Sequence, residues 1–194
     1  MDACLDVLDS MWVVGDPHNE FGYILEALGR GAPSALLFVG DLDLNQPFAH
    51  VCREIRQYVP ELTIGYVHGN HDSDSYEKWE FLHDGSAIDL HATVTEIHSV
   101  RIAGLGGTFL SKIWNPPLPP KYHSKSQLWG ETHRFRDGQR PNARYQGAIY
   151  PHDVEYLSRL KADILLTHEA GALHPIGNHA LDGLATGLGF KAVA

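Results

Sequence analysis

The sequence predicts an α/β fold, on three observations. Apolar runs of four or five residues recur, and each stops abruptly at a polar loop. Stretches with helical apolar spacing lie between those runs. The connections are short, as in repeated strand–helix–strand units.

The first run, Met11 to Val14, has the character of a buried strand and breaks at Gly15-Asp16-Pro17-His18-Asn19. Phe21, Ile24, Leu25 and Leu28 then share one helical face, which predicts a helix over 20–28. Ala35 to Val39 is the second strand and stops at Gly40-Asp41. A helix over 48–58 follows, and a third strand, Thr63 to Val67, stops at His68-Gly69-Asn70-His71-Asp72. Residues 92–94 and 101–103 have strand character, with Ile97 to Val100 as a turn or a continuation between them. Residues 111–147 have poor periodicity, a proline-rich stretch and the arginines Arg134, Arg136, Arg140 and Arg144, so they are expected to form a long surface excursion. A proline opens a predicted helix over 151–160. The next strand, 163–167, ends at His168-Glu169, and a helix over 180–188 and a short apolar segment, 190–194, close the chain.

A length of 194 residues fits a single domain, and 43% hydrophobic with 20% charged residues fits an ordinary water-soluble core and surface. The net charge of −9 argues against a broad basic stripe, so nucleic acid is not the favoured partner. Carboxylates that bind metal are neutralised by it, so an acidic chain can still act on an anionic substrate. Two cysteines, Cys4 and Cys52, make no disulfide framework; both are expected to be buried small hydrophobes, and a cytoplasmic location follows. The acidic N-terminus is no signal peptide, and no run approaches the length of a membrane span, so no membrane insertion is expected.

The functional signal is a repeated event. Four apolar strands end, and a metal-competent residue follows each: Asp16 with His18, Asp41, Asn70 with His71, and His168. In α/β sheets ligands bind outside the carboxyl ends of the strands, so parallel, adjacent strands would bring these loops together. Carboxylates, imidazoles and an amide oxygen suit divalent ions such as Mn, Fe, Zn or Mg rather than soft thiolate sites. Two ions about 3.5–4 Å apart would activate a water and offset the charge of a phosphate ester. Asp41 is the natural bridge, Asp16 and His18 can share one ion, and Asn70 and His168 the other. His71 is the candidate acid for the leaving oxygen, with Asp72 or a neighbouring carboxylate fixing its tautomer.

These pieces, Asp16-Pro17-His18, Gly40-Asp41, Gly69-Asn70-His71-Asp72, Gly104-Leu105-Gly106-Gly107 and Thr167-His168, resemble in order those of the calcineurin-like metallophosphoesterase family. The resemblance implies a four-layer α/β/β/α sandwich of two facing mixed sheets. It implies metal ligation by Asp16, His18, Asp41, Asn70 and His168, and His71 over the substrate. The activity implied is metal-dependent hydrolysis of a phosphate mono- or diester. Two features depart from the family. Gly40-Asp41 runs into Leu42-Asp43-Leu44-Asn45 rather than a further acidic residue and an arginine, and Asp43 is expected to support Asn70 or His71 indirectly. The closing Gly-His-x-His segment is not present before Ala194. Three readings then stand: residues beyond Ala194 complete the site, His174 or His179 substitutes, or the site is incomplete.

Other readings weigh less. Asp and Asn after a strand are common turn residues, but that does not account for His18, His71 and His168 as well. The 104–107 glycines lack the context of a dinucleotide fingerprint and instead predict close backbone approach. His68 is expected to be structural. The arginines and aromatics of the excursion admit a lid that grips phosphate. Alternative functions are a non-catalytic binding module on this fold and a binuclear hydrolase of a non-phosphate ester or amide.

Overall fold

The computed structural model describes residues 10–132, 140–175, 177–189 and 192–193. Cys4, Arg134, Arg136 and Phe190, which figure in the expectations above, lie outside the described residues.

Strands β1 (Met11–Val14), β2 (Ala35–Val39), β3 (Thr63–Val67) and β4 (Ile88–Asp89) form one sheet in that order, all parallel. Strands β5 (Thr93–Ile97), β6 (Val100–Leu105), β7 (Ile164–Thr167) and β8 (Ala192–Val193) form a second. Its β5–β6 pair is antiparallel and its other pairs are parallel. Thus only the second of the two expected mixed sheets is mixed. The stretch Ile97 to Val100 is a two-residue hairpin turn, with His98 and Ser99 both at positive φ, as such turns require.

The layers follow from the alternation of side chains along each strand. On β2, Leu36 and Phe38 face helices α1 (Gly22–Leu28) and α2 (Phe48–Tyr58). Ala35 and Leu37 face the other way and pack with Ile102, Ile164 and Leu166 of the second sheet. On the far side, Ala103, Leu105 and Leu165 pack against helices α5 (Pro151–Leu157) and α6 (His179–Leu188). The result is helix, sheet, sheet, helix. Because β2 is buried on both faces, it is a continuous apolar run rather than an alternating one.

The helices form for local reasons. In α2 the buried residues Phe48, Val51, Cys52 and Ile55 recur at helical spacing. Helix α3 (Tyr76–Leu82), which the sequence pattern does not predict, starts at Ser75, whose hydroxyl accepts from the Lys78 N–H at 3.1 Å. Helix α6 is capped by the Asn178 side chain and ends at Gly189 with φ +82°. The described parts of the excursion, 111–132 and 140–147, are more ordered than expected. They contain α4 (Lys125–Thr132), and their Ile113 and Leu128 are buried together with Ala148 and Tyr150. Periodicity is hard to see there because the buried residues come from separate turns. Among the described residues no helix is long and apolar enough to cross a membrane.

Candidate metal centre

Three strands of the first sheet and β7 of the second release their loops at one edge. The Asp16–Asn19 loop is tied to the next one: the His18 N–H donates to the Asp41 carbonyl at 3.0 Å and the Asn19 N–H to the Leu42 carbonyl at 2.8 Å. Asp16, His18, Asn19, Asp41 and Asp43 all have positive φ. Left-handed backbone costs an L residue about 1–2 kcal/mol, and Asp and Asn bear it best. Such strain is concentrated at functional sites. At Gly40, with φ +94°, a Cβ would lie 2.5 Å from His168 Nδ1, so both conformation and space demand glycine.

Asp41 is the centre of the arrangement and is 5% exposed. Its Oδ1 accepts the His71 N–H at 2.8 Å and lies 3.7 Å from His168 Nε2. Its Oδ2 faces His18 Nε2 at 3.9 Å. The carboxylate therefore has one imidazole on each oxygen. Asp16, Asp41 and His168 each offer one ligand atom, all within 4.8 Å of one another. Asp16 therefore lies with His168 as well as in the loop of His18, its Oδ1 being 3.6 Å from His168 Nδ1.

His168 carries the clearest evidence of what these residues suit. Its Nδ1 is 2.9 Å from the Val39 carbonyl, so Nδ1 bears the proton and donates. Nε2 then faces Asn70 Oδ1 at 3.2 Å and Asp41 Oδ1 at 3.7 Å, so an imidazole, an amide and a carboxylate converge on one point. A ring N–H fixed by a backbone carbonyl, with the other nitrogen free, is the usual state of a metal-ligating histidine. The donor set thus fits a divalent ion.

Around this centre the structure redistributes the supporting roles. The carboxylate on His71 is Asp74, not Asp72: Asp74 Oδ2 is 2.8 Å from His71 Nδ1. Asp72 is buried, and its two oxygens accept from the Gly69 and Asp43 backbone N–H groups at 2.8 Å each. The reason is local. His71–Ser73 is a 3-10 turn, which sets residues three apart side by side and adjacent ones apart. The i, i+3 spacing of His71 and Asp74 was the available signal. The Asp74 hydrogen bond holds the His71 imidazole above the ordinary histidine range, outweighing partial burial. Burial alone would raise Asp74, but His71 and Arg144 outweigh it and leave Asp74 below the ordinary carboxylate range. Burial pushes Asp72 up, against its two backbone donors.

Asp43 acts on His71 only indirectly, its charge adding to those that raise the imidazole. It pairs with Lys78 of α3 and faces His18 Nδ1 at 3.8 Å. Nothing local in the sequence couples Asp43 to Lys78, 35 residues on. His174 and His179 are not in the group of Asp16, Asp41 and His168; both are exposed, and His179 Nδ1 is 3.4 Å from Asp182 on its own helix. His68 is fully buried, edge-on to the Trp79 ring and tilted against His91. The glycines expected to permit close approach do so, since a Cβ at Gly104 would lie 2.3 Å from the Leu90 carbonyl oxygen.

A parallel sheet whose first three strands deliver Asp16, Asp41 and Asn70, and a second sheet that delivers His168, gather these donors at one edge of a helix–sheet–sheet–helix fold. The model of the calcineurin-like phosphoesterase family matches residues 10–193, and the chain belongs to that family. A Haemophilus influenzae protein described as uncharacterised is 32% identical over 183 residues, which cover 92% of this chain and 78% of that protein. The crystal structure of TT1561 from Thermus thermophilus superposes with a TM-score of 0.57 at 16% identity, covering 94% of this chain and 79% of that one. At that identity the likeness is one of fold.

Proposed function

We propose that the protein hydrolyses a phosphate mono- or diester at a centre of two divalent ions held by Asp16, His18, Asp41, Asn70 and His168. The observation that carries this is Asp41, whose Oδ1 faces His168 and whose Oδ2 faces His18. A buried carboxylate with an imidazole on each side supports a bridging role. When bound, divalent ions at these ligands would supply a water of lowered pKa and positive charge against the phosphate oxygens. The chain's own residues do the rest. The Val39 carbonyl holds His168 Nδ1 and so leaves Nε2 turned toward Asn70 and Asp41. Asp43, paired with Lys78, faces His18 Nδ1 and supports the tautomer that leaves Nε2 toward Asp41. Asp74 holds His71 Nδ1, so a protonated His71 can give its Nε2 proton to the leaving oxygen as the phosphorus–oxygen bond breaks. Asp72 acts on the backbone, tying Gly69 to Asp43 and so holding the two loops together. The low cysteine content supports a cytoplasmic setting.

The test is hydrolysis of a chromogenic phosphodiester and its monoester with added Mn²⁺, for the unsubstituted protein, Asp41→Asn and His71→Ala. Asp41→Asn is expected to fall to background, and His71→Ala to lose about 10²–10⁴-fold in kcat. Absence of hydrolysis with Mn, Fe, Zn and Mg alike, or full activity in Asp41→Asn, would sink the reading.

A further inference from the structure

A cleft of about 290 Å³ opens beside Asn70 and His71, and Arg144 forms one of its outer walls. The volume suits a small organic group rather than a folded partner. With His71 as the acid for the leaving oxygen, the cleft it lines is on the leaving-group side of the reaction.

Arg144 reaches this cleft from outside the sheets, on a segment that is firmly anchored. The Asn142 side chain accepts the Arg144 N–H at 3.0 Å. The Gly147 carbonyl accepts from the Thr108 N–H at 3.1 Å, and the Ile149 N–H donates to the Thr108 carbonyl at 3.0 Å. Gly147 lies so near the Asn70–Ser73 turn that a Cβ there would be 2.5 Å from Ser73 Oγ. One guanidinium nitrogen of Arg144 is 2.9 Å from Asp74 Oδ1, and the other oxygen of Asp74 is taken by His71 Nδ1 at 2.8 Å. Asp74 is thus engaged on both oxygens. Among the described residues Arg144 is paired at one edge, with Asp74, and its side chain is 65% exposed. A guanidinium has five N–H donors in a planar fork, and those away from Asp74 are free to bind an oxyanion.

We propose that this cleft receives the leaving group of the substrate and that Arg144 selects leaving groups bearing a second oxyanion. The inference rests on the phosphoesterase reading and names the substrate class: a small phosphate ester whose alcohol portion carries a carboxylate or a further phosphate. Leu110 and Thr108 line the wall along which the intervening carbons would lie.

The test compares three matched esters with Mn²⁺: hydroxyethyl phosphate, which is neutral beyond its ester, phosphoglycolate and ethylene glycol bisphosphate. The quantity read is the ratio of kcat/KM for each anionic ester to that for the neutral one. Any disturbance of His71 through Asp74 affects all three esters and cancels in the ratio. The ratio is expected to exceed one, to fall about tenfold in Arg144→Gln and to be partly kept in Arg144→Lys. The carboxylate and phosphate arms separate the two sources of the oxyanion. A ratio unchanged in Arg144→Gln, with hydrolysis intact, overturns the inference and leaves the phosphoesterase reading standing. If no ester is hydrolysed, that reading fails, and calorimetric binding of phosphoglycolate against hydroxyethyl phosphate decides the cleft. A preference lost in Arg144→Gln upholds the inference; equal affinities in the unsubstituted protein overturn it.

Discussion

Gly69 lies two residues past the third strand, and its lack of a side chain is what lets Asp41 and His168 approach. A Cβ at position 69 would lie 2.2 Å from Asp41 Oδ1, 2.4 Å from the Asp41 backbone nitrogen and 2.8 Å from His168 Cε1. Ordinary contact begins near 3.4 Å, so Gly69→Ala forces Asp41 away by roughly 1 Å. Part of the conflict is with backbone, so a side-chain rotation cannot relieve it. Overpacking of this kind costs about 1–3 kcal/mol of stability. A misplacement of about 1 Å at a reacting centre costs on the order of 10²-fold in rate. The expected result is therefore a folded protein with kcat/KM down about 10²-fold on the chromogenic ester and weaker Mn²⁺ binding by calorimetry. Urea unfolding measures the stability loss. Gly183→Ala is the control, since nothing lies within 4 Å of a Cβ there and the residue is inside α6. It should gain about 0.5–1 kcal/mol with no change in metal binding. Gly69→Ala with unaltered metal affinity and kcat/KM would refute the argument that close approach of the loops builds the site.

Phe38 is fully buried, with edge contacts to Phe21 and Phe48 at 6.2 and 5.7 Å between ring centroids. Phe38→Ala should cost about 3–5 kcal/mol in urea unfolding, and a loss under 1 kcal/mol would contradict its place in the core. Burial holds His91 below the ordinary histidine value and His68 well below it. The unfolded chain then binds more protons than the native one below about pH 6.5, so stability is full above that pH and declines as pH falls through it. His91→Gln should flatten the fall in urea midpoint between pH 7 and 5, and an identical slope in the variant would count against the assignment. Asn178 caps α6 by accepting the Ala180 N–H at 2.9 Å, so Asn178→Ala should cost about 1 kcal/mol. A thermal midpoint unmoved by that change would remove the cap from the account of the helix.

Much of the fold was legible because its signals are local. Strands β1, β2 and β3 and helix α2 match the sequence expectations residue for residue. β1 and β2 are single apolar runs that stop at Gly15 and Gly40, and α2 is one helical stripe that follows Pro47. Helix α3 was missed because only Leu82 of it is buried, so no apolar stripe announced it. The small core of the excursion was missed because Ile113 and Leu128 meet across a folded loop, with no period in between.

The same division runs through the site. The sequence by itself determined that Asp16, His18, Asp41, Asn70 and His168 follow strand ends. This bears on the site because a parallel sheet presents all its strand ends at one edge, and a residue directly after a strand cannot stray far from that edge. Only the tertiary structure decided that Asp41 stands between His18 and His168, that Asp74 rather than Asp72 holds His71, and that Asp43 pairs with Lys78. It alone brought Arg144 to the cleft. Those contacts depend on how loops far apart in the chain pack and on the direction in which a tight turn aims a side chain. Neither quantity has a period that a sequence can display.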